Sequence, residues 1–442
     1  KKEFNVTLVN TILGLFLVFI LISNCSLDNK SSLWTESKKI ETVNDLVINE
    51  LFKNEEALNK EFNLNVKIQL KSNPTKNSFV NNLNNNNGRV SYNGSLKNIS
   101  RFKFSTIDNF DQIEPEILFY GDNIIFFENK GSIFNFDKFS KLIWKKNFYK
   151  KFEKKAKPEL FLANDKKTLI VADNLAKYYA MNIKTGELIW AKTNVAPFNS
   201  QIKIYDDKFF VTDFDNVLRC YLIKDGSELW NVKTDTAFIK SKKKLSLVIL
   251  NGNIYFNNSI GDISAVDIQT GNLIWQTPTQ SSLIYENSFL LETSDLIADD
   301  DAILLSNNRN EFFSFSANTG ALNWQQKINS NIRPTLIENL IFTVTIEGFL
   351  VVIDNKTGNI IRITNVFDKI KKNKRSKIKP VGFIVGTKNI YLTTDNGLLI
   401  LIDISSGRSS SILKVDNEKI SRPFILNKNL FIIKDNSIIK LN

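Results

Sequence analysis

Short runs of apolar, β-branched and aromatic residues alternate with polar turns through most of the chain, beginning near residue 99. The unit that ends at Trp275 shows the pattern clearly, with apolar runs at 245–250, 254–256, 263–268 and 272–275. Gly, Asn and Asp stand in the turns between these runs, and no run is long enough for a helix of ordinary length. The pattern therefore predicts units of four short antiparallel strands.

A motif of the form Thr-Gly-x-Leu-x-Trp ends three of these units, and shorter or altered copies, Asp-Gly-Ser-Glu-Leu-Trp at 225–230 and Lys-Leu-Ile-Trp at 141–144, end two more. Its tryptophans are separated by 46, 40, 45 and 49 residues and stand at Trp144, Trp190, Trp230, Trp275 and Trp324. Two further copies carry Arg362 and Ser411 in the Trp position. Four-stranded repeats of about 40–45 residues are typical of β-propeller blades. The glycine is expected to supply a turn with positive φ, and the tryptophan to pack between neighbouring blades.

The repeat predicts an all-β fold, an eight-bladed β-propeller of four-stranded antiparallel blades over residues 89–442. Seven units end in a copy of the motif, and an eighth unit at 423–442 holds three strands. The missing strand is expected at 99–104, since Phe102 stands 42 residues before Trp144. This N-terminal strand would close the ring and remove an unpaired edge. Six of the eight prolines stand at the head of a first strand, where a missing N–H is tolerated.

The N-terminal region has the pattern of a targeting segment. Residues 12–22 form an apolar run that is too short to span a bilayer and has the length of a signal-peptide core. The run ends in Leu-Ile-Ser-Asn-Cys, which resembles a bacterial lipobox and makes Cys25 the candidate lipidation site. We expect a lipoprotein signal peptide at 1–24 and an anchor and tether at 25–88, in which 42–62 is compatible with one amphipathic helix. The alternative is an ordinary signal peptide with an incidental cysteine.

The composition excludes several classes of chemistry. The chain has no histidine, which removes Ser-His-Asp and Cys-His catalysis and His-ligated zinc or haem. It has no phosphate-binding glycine motif, and we expect no metal and no cofactor. Cys220 lies in an apolar strand and is expected to be a buried hydrophobe. The net charge is +12, and a basic run at 369–379 is either a solvated loop or a contact for lipid headgroups or an acidic partner.

The motif copy at 264–275, the lipobox and the eight units together resemble the BamB family, lipoprotein subunits of the outer-membrane β-barrel assembly machinery. The resemblance implies a non-catalytic periplasmic adaptor on the outer membrane that docks on the periplasmic domains of the BamA insertase. Asn, Lys, Ile and Phe are heavily used throughout the chain, which indicates a compositional bias, so the positive charge does not predict a nucleic-acid partner. A quinoprotein dehydrogenase on the same fold is the rival interpretation. Those enzymes resemble one another in a pair of adjacent cysteines, which this chain lacks. A propeller that binds another envelope protein or a glycan is the third.

Partner binding is predicted in the connections between the middle blades. The segments after Trp230 and Trp275 depart most from the minimal repeat, and loops on a rigid scaffold are where binding usually resides. The candidate residues are Phe238, Ile239, Lys240 and Asp295, the last as a charge at the rim of the interface. In the family the corresponding loops face the insertase, so the resemblance implies the same region.

Overall fold

The computed structural model describes residues 58, 60–75, 88–107, 110, 113–236, 243–280, 291–299 and 301–442. Residues Ala57–Asn442 form one compact unit. The predicted signal peptide, Cys25 and most of the predicted helix at 42–62 lie outside the described residues. Within the described part of the chain, no helix is both long and apolar enough to cross a bilayer.

The described residues form eight four-stranded antiparallel sheets, which confirms the predicted propeller. Blades 1 to 4 comprise β2–β5 (Leu118–Tyr120, Asn123–Phe127, Ile133–Phe136, Leu142–Lys146), β6–β9 (Leu160–Asn164, Thr168–Asp173, Lys177–Asn182, Leu188–Thr193), β10–β13 (Lys203–Tyr205, Lys208–Thr212, Val217–Leu222, Glu228–Lys233) and β14–β17 (Leu247–Leu250, Asn253–Asn257, Ile263–Asp267, Leu273–Thr277). Blades 5 to 7 comprise β18–β21 (Ile297–Asp299, Ala302–Asn307, Glu311–Ser316, Leu322–Gln326), β22–β25 (Thr335–Ile337, Leu340–Val344, Phe349–Asp354, Ile360–Asn365) and β26–β29 (Pro380–Val385, Asn389–Thr394, Leu398–Asp403, Ser409–Lys414). Blade 8 comprises β30–β32 (Phe424–Leu426, Asn429–Lys434, Ser437–Leu441) and β1 (Asn98–Lys103). Two short helices lie between blades, α1 (Lys151–Lys155) and α2 (Lys372–Arg375).

The ring closes through the N-terminal strand, as the repeat predicted. Strand β1 pairs antiparallel with β32, and Phe102 stands opposite Ile438. The Phe102 side chain is fully buried and packs edge-on against Phe136 of blade 1, with ring centroids 5.8 Å apart. One side chain from the N-terminal strand therefore joins the last blade to the first.

Each motif tryptophan packs on the glycine turn of the following blade. Gly271 has φ +74°, and a Cβ there would lie 2.6 Å from the Trp230 ring, so only glycine fits without displacement. The indole N–H of Trp190 donates to Ile223 O at 2.9 Å, three residues before the glycine of the next turn. The same bond recurs with distances of 3.2, 3.0 and 2.8 Å at Trp144, Trp275 and Trp324. The glycine and the tryptophan of the repeat thus form one contact between blades.

Arg362 takes the tryptophan position in blade 6 and makes a corresponding contact. Its side chain is fully buried beside Gly407, and Nη2 donates to Ile404 O at 3.0 Å, three residues before that glycine. The second guanidinium nitrogen, Nη1, donates to Ser405 O and, at 3.1 Å, to Val66 O. Arg362 therefore binds a segment far away in the sequence as well as the next blade.

That segment, residues 60–75, is a strap along blades 6 and 7. Phe62 and Ile363 exchange two backbone hydrogen bonds of 3.0 Å, so the strap extends the sheet beyond its outermost strand, β25. Ile68 is buried in the apolar core of these two blades. Glu61 accepts from the backbone N–H of Asn365 at 3.0 Å and from Arg408 of blade 7 at 2.6 Å. No contact between this part of the predicted tether and the blades was predicted from the repeat pattern.

Candidate functional site at the channel mouth

Polar side chains gather where the innermost strands begin. Each blade starts its innermost strand at the same end of the central channel, and the innermost strands of blades 1 to 5 contact one another in order around the ring. In five of the eight blades the residue two positions before the innermost strand is polar, and these residues are Glu116, Gln201, Asp295, Arg333 and Arg422. With Glu114, Lys203, Lys243 and Lys244 they form what we call the channel mouth.

The segment at 113–116 crosses the channel mouth. The Glu114 carboxylate accepts from Lys243, and Lys244 Nζ donates to Glu114 O at 3.0 Å. Lys419, in the connection between blades 7 and 8, donates to Ile113 O at 3.1 Å. The residues before blade 1 are therefore bonded to the entrance of blade 4 across the axis. Two small clefts border Glu114, and both are lined by Val381 and Arg422.

Glu116 is the central acid of the channel mouth. Its Oε1 accepts from Arg422 at 3.0 Å and from Gln201 at 3.3 Å, and it lies 3.4 Å from Lys244 Nζ. Burial alone would raise the pKa of Glu116, but the charges of Lys244, Arg422 and Lys203 outweigh it and lower the pKa to about 2. The carboxylate therefore stays ionised, and its contacts join blades 1, 3, 4 and 8.

Asp295 also lies in the channel mouth, and its predicted position as an exposed rim charge is wrong. Asp295 is only 7% exposed, and Gln201 Nε2 donates to Asp295 Oδ2 at 3.1 Å. Burial raises its pKa; Lys244 acts in the opposite direction, while Glu116 adds to the rise. Asp295 stands two positions before the innermost strand β18, and its side chain lies on the side of the channel axis. Whether Asp295 affects partner binding stays a prediction.

The other predicted partner residues, Phe238, Ile239 and Lys240, lie outside the described residues. The connection that contains them reaches the channel mouth at Lys243. Cys220 is fully buried, and burial raises the pKa of its thiol to about 12, which agrees with an unreactive packing residue. Among the described residues, His, Cys, Asp and Glu side chains nowhere gather in threes that could hold a metal ion.

The channel mouth was not among the predicted sites, although the sequence carries a positional signal for it. Each of five blades places a polar residue two positions before its innermost strand. Aligning the units on their first strands instead of on the tryptophans would have put these residues in one column.

Comparison with known proteins gives a family match and a shared fold. The profile of a family described as outer membrane protein assembly factor BamB matches residues 129–364. The outer membrane protein assembly factor BamB of Moranella endobia (strain PCIT) is 22% identical over 258 residues. That alignment covers 58% of this chain and 64% of the relative, which is less than two thirds of the relative's length.

Solved structures show the same propeller in proteins of different kinds. BamB from Moraxella catarrhalis superposes with a TM-score of 0.63 at 14% identity, over 78% of this chain and 99% of that one. Quinohemoprotein alcohol dehydrogenase from Comamonas testosteroni gives a TM-score of 0.60 at 9% identity, over 81% of this chain and 78% of the enzyme. At these identities the superpositions establish the fold and do not separate a scaffold from an enzyme.

Proposed function

Because the chain belongs to the outer membrane protein assembly factor BamB family, we propose that it is a non-catalytic scaffold in outer-membrane protein assembly. It docks on the periplasmic domains of a BamA-like insertase and assists the folding and insertion of β-barrel proteins. The family match over residues 129–364 is the observation that carries this proposal. The resemblance seen in the repeats pointed to the same family.

The channel mouth supports a scaffold rather than an enzyme. The chain's own segment at 113–116 and its ion pairs cross the position where an axial ligand would enter. The rival function, a quinoprotein dehydrogenase, would need that space for a cofactor. Incubation with pyrroloquinoline quinone and calcium, followed by gel filtration and absorbance of the protein peak, separates the two. Stoichiometric bound quinone would refute the scaffold proposal.

Insertase docking is proposed to use the connection between blades 3 and 4. We expect Ile239→Ala combined with Lys240→Ala to weaken binding of purified insertase periplasmic domains by about 1–3 kcal/mol, as for an interface hot spot. Phe238→Ala is expected to act in the same direction. Calorimetry with the full chain measures the affinity, and an unchanged thermal transition shows that the fold is intact. The control is Lys371→Ala with Lys372→Ala, which changes a distant basic run.

Asp295 is proposed to act as a positioning residue. Since its carboxylate is buried and held by Gln201, substitution changes the entrance to blade 5 rather than removing a direct contact. Asp295→Ala is expected to weaken insertase binding less than the double variant at 239 and 240. Asp295→Asn, which keeps the shape and a hydrogen-bonding group, is expected to restore binding. Equal losses in the Ala and Asn variants would show that the charge itself is required.

The protein is proposed to be anchored at the periplasmic side of the outer membrane through lipid on Cys25. Cys25→Ser is expected to release a soluble protein or to leave an unprocessed precursor. Membrane fractionation and mass spectrometry of the mature N-terminus check this. Normal processing and unchanged outer-membrane fractionation of the variant would contradict the anchor.

A further inference from the structure

The connection between blades 1 and 2 presents charge and apolar surface together. Helix α1 contains no buried residue, and Phe152 in its first turn is 68% exposed. Lysines flank Phe152 in the sequence, with Lys150, Lys151 and Lys155 exposed and Lys154 half-buried. A short helix without a buried face gains little stability from core packing, so core packing does not explain why an aromatic side chain is exposed on it.

The acidic groups near α1 all turn inward. One carboxylate oxygen of Glu153 lies 3.3 Å from Lys177 Nζ, and the other accepts from the backbone N–H of Lys150. Glu128 lies 3.0 Å from Lys145 Nζ and also accepts from Ser105. Asp173 is fully buried and accepts from a tyrosine hydroxyl. In the described part of the chain, the acidic side chains near α1 are therefore held by other groups, and the exposed charged side chains of the helix are lysines.

Two neighbouring turns extend this surface. Lys130 is exposed in the turn between β3 and β4, and its backbone oxygen accepts from the Asn147 side chain at 2.9 Å. Val195, which is 91% exposed, follows Asn194, whose backbone N–H donates to Ala176 O at 2.7 Å. Ala176 precedes Lys177, the partner of Glu153. Val195 and Phe152 thus protrude from the same end of blade 2. We call Phe152, Val195 and the five lysines (130, 150, 151, 154 and 155) the lysine patch.

The basic run at 369–379 differs from the lysine patch in the hydrogen bonds that its cationic groups make and in the position of the neighbouring aromatic side chain. Lys369 Nζ donates to Ser410 O, and Arg375 donates to Ile370 O and Asp368 O at 2.8 and 2.7 Å. The adjacent Phe367 is fully buried in the core of blades 6 and 7. This run provides charge with its aromatic side chain turned inward, so it serves as a matched comparison for the lysine patch.

We propose that the lysine patch binds the surface of an anionic phospholipid leaflet. Clustered lysines are attracted to anionic headgroups, and apolar side chains that protrude between them enter the interfacial region. Lysine provides point charges for phosphate, whereas a protein partner with carboxylates would favour the forked geometry of arginine. This surface is a second membrane contact that goes beyond the proposed docking and anchoring, and it would orient the propeller on the leaflet.

A fluorescent reporter in the patch tests the proposal. Phe152→Cys is introduced into the full chain carrying Cys25→Ser, and the new thiol is labelled with an environment-sensitive dye, since Cys220 is fully buried. A control chain carries the dye at Lys356→Cys, an exposed turn residue at the opposite end of blade 6. Vesicles of phosphatidylcholine, with or without phosphatidylglycerol, contain a lipid-borne quencher. We expect quenching of the dye at position 152 with anionic vesicles, reversal at high salt, and no quenching at position 356.

Two charge-matched variants locate the effect. Changing Lys150, Lys151, Lys154 and Lys155 to Gln is expected to weaken binding to anionic vesicles at least tenfold, since each lysine near such a surface contributes substantially. The control changes Lys371, Lys372, Lys374 and Lys377 to Gln and is expected to leave quenching at position 152 unchanged. Equal quenching by neutral vesicles, or equal loss in both variants, would overturn the proposal. So would shielding of the dye by soluble insertase domains but not by vesicles, which would identify a protein interface.

Discussion

Restoring the repeat consensus at Arg362 is expected to damage the protein. By sequence alone, Arg362→Trp repairs a degenerate motif and should stabilise the ring. In the structure the guanidinium donates to three carbonyls, those of Ile404, Ser405 and Val66. An indole can replace the bond to Ile404, but it has no donor for the other two. The strap at 60–75 would therefore lose its buried attachment to blade 6.

The magnitude follows from the hydrogen bonds and the cost of burying the charge. Bonds from a charged donor contribute about 1.5–3 kcal/mol each, so three give about 4.5–9 kcal/mol. Burial lowers the pKa of Arg362 from 12.5 to about 10, which corresponds to a cost of about 3 kcal/mol. Arg362→Ala is thus expected to lower the free energy of unfolding by about 4 kcal/mol. Arg362→Trp keeps one bond and is expected to lower it by about 1–3 kcal/mol.

Denaturant unfolding followed by tryptophan fluorescence measures stability, and limited proteolysis within 60–75 reports whether the strap is attached. The matched control is Arg408→Ala, which removes the exposed ion pair between the strap residue Glu61 and blade 7. Such pairs contribute little, so a loss within about 1 kcal/mol is expected. If Arg362→Trp is as stable as the wild type and its strap is equally resistant to protease, the assignment of Arg362 to the strap is wrong.

Three further predictions concern the ring itself. Glu116→Gln should lower the free energy of unfolding at neutral pH. Because the pKa of Glu116 is depressed to about 2 in the folded state, the stabilisation by its carboxylate is fully present above the unfolded pKa of 4.5 and should fall by about 2 kcal/mol between about pH 5 and pH 3. The stability difference between wild type and variant should shrink accordingly over this pH range. Phe102→Ala should cost about 3–5 kcal/mol in thermal or denaturant unfolding, and a value under about 1 kcal/mol would contradict closure through β1. Gly271→Ala should cost about 2 kcal/mol or more, because a Cβ would meet the Trp230 ring at positive φ; combining it with Trp230→Ala should relieve the overlap, and additive losses would refute that contact.

The blade count and the closing strand were predictable because each repeat encodes its own four strands and turns. Local alternation, the glycine of the turn and the spacing of the tryptophans determine a blade without reference to the rest of the ring. The replacement of the motif tryptophan by Arg362 and by Ser411 could not be explained from the motif, because the reason for each lies outside the local repeat. Arg362 binds Val66, which lies 296 residues away in the chain. Ser411 stands in the last strand before blade 8, whose outer strand β1 does not follow β32 through a glycine turn that could receive an indole.

The channel mouth was not predicted from the sequence for a related reason. Single acids and lysines before a strand are ordinary in sequence, and only the closed ring brings Glu116 beside Arg422, 306 residues away in the chain. The expected rim position of Asp295 failed because the residue was assigned to a loop. It in fact stands two positions before an innermost strand. Proximity to the axis depends on how many blades close the circle, which a single unit does not specify.

Segments outside the repeats supply contacts that the repeats do not. The packing of the blade cores joins neighbouring blades, as in any stacked array, whereas the polar groups of the channel mouth also join blades that are not adjacent. The segment at 113–116 instead bonds the entrance of blade 1 to that of blade 4, and the strap binds blades 6 and 7 together from outside. Both precede the first blade in the chain, on the side of the proposed lipid anchor. A tether that ends in the strap would therefore be fixed to blade 6. This attachment defines the point from which the propeller is held, while the proposed partner and lipid contacts form on blades 1 to 5.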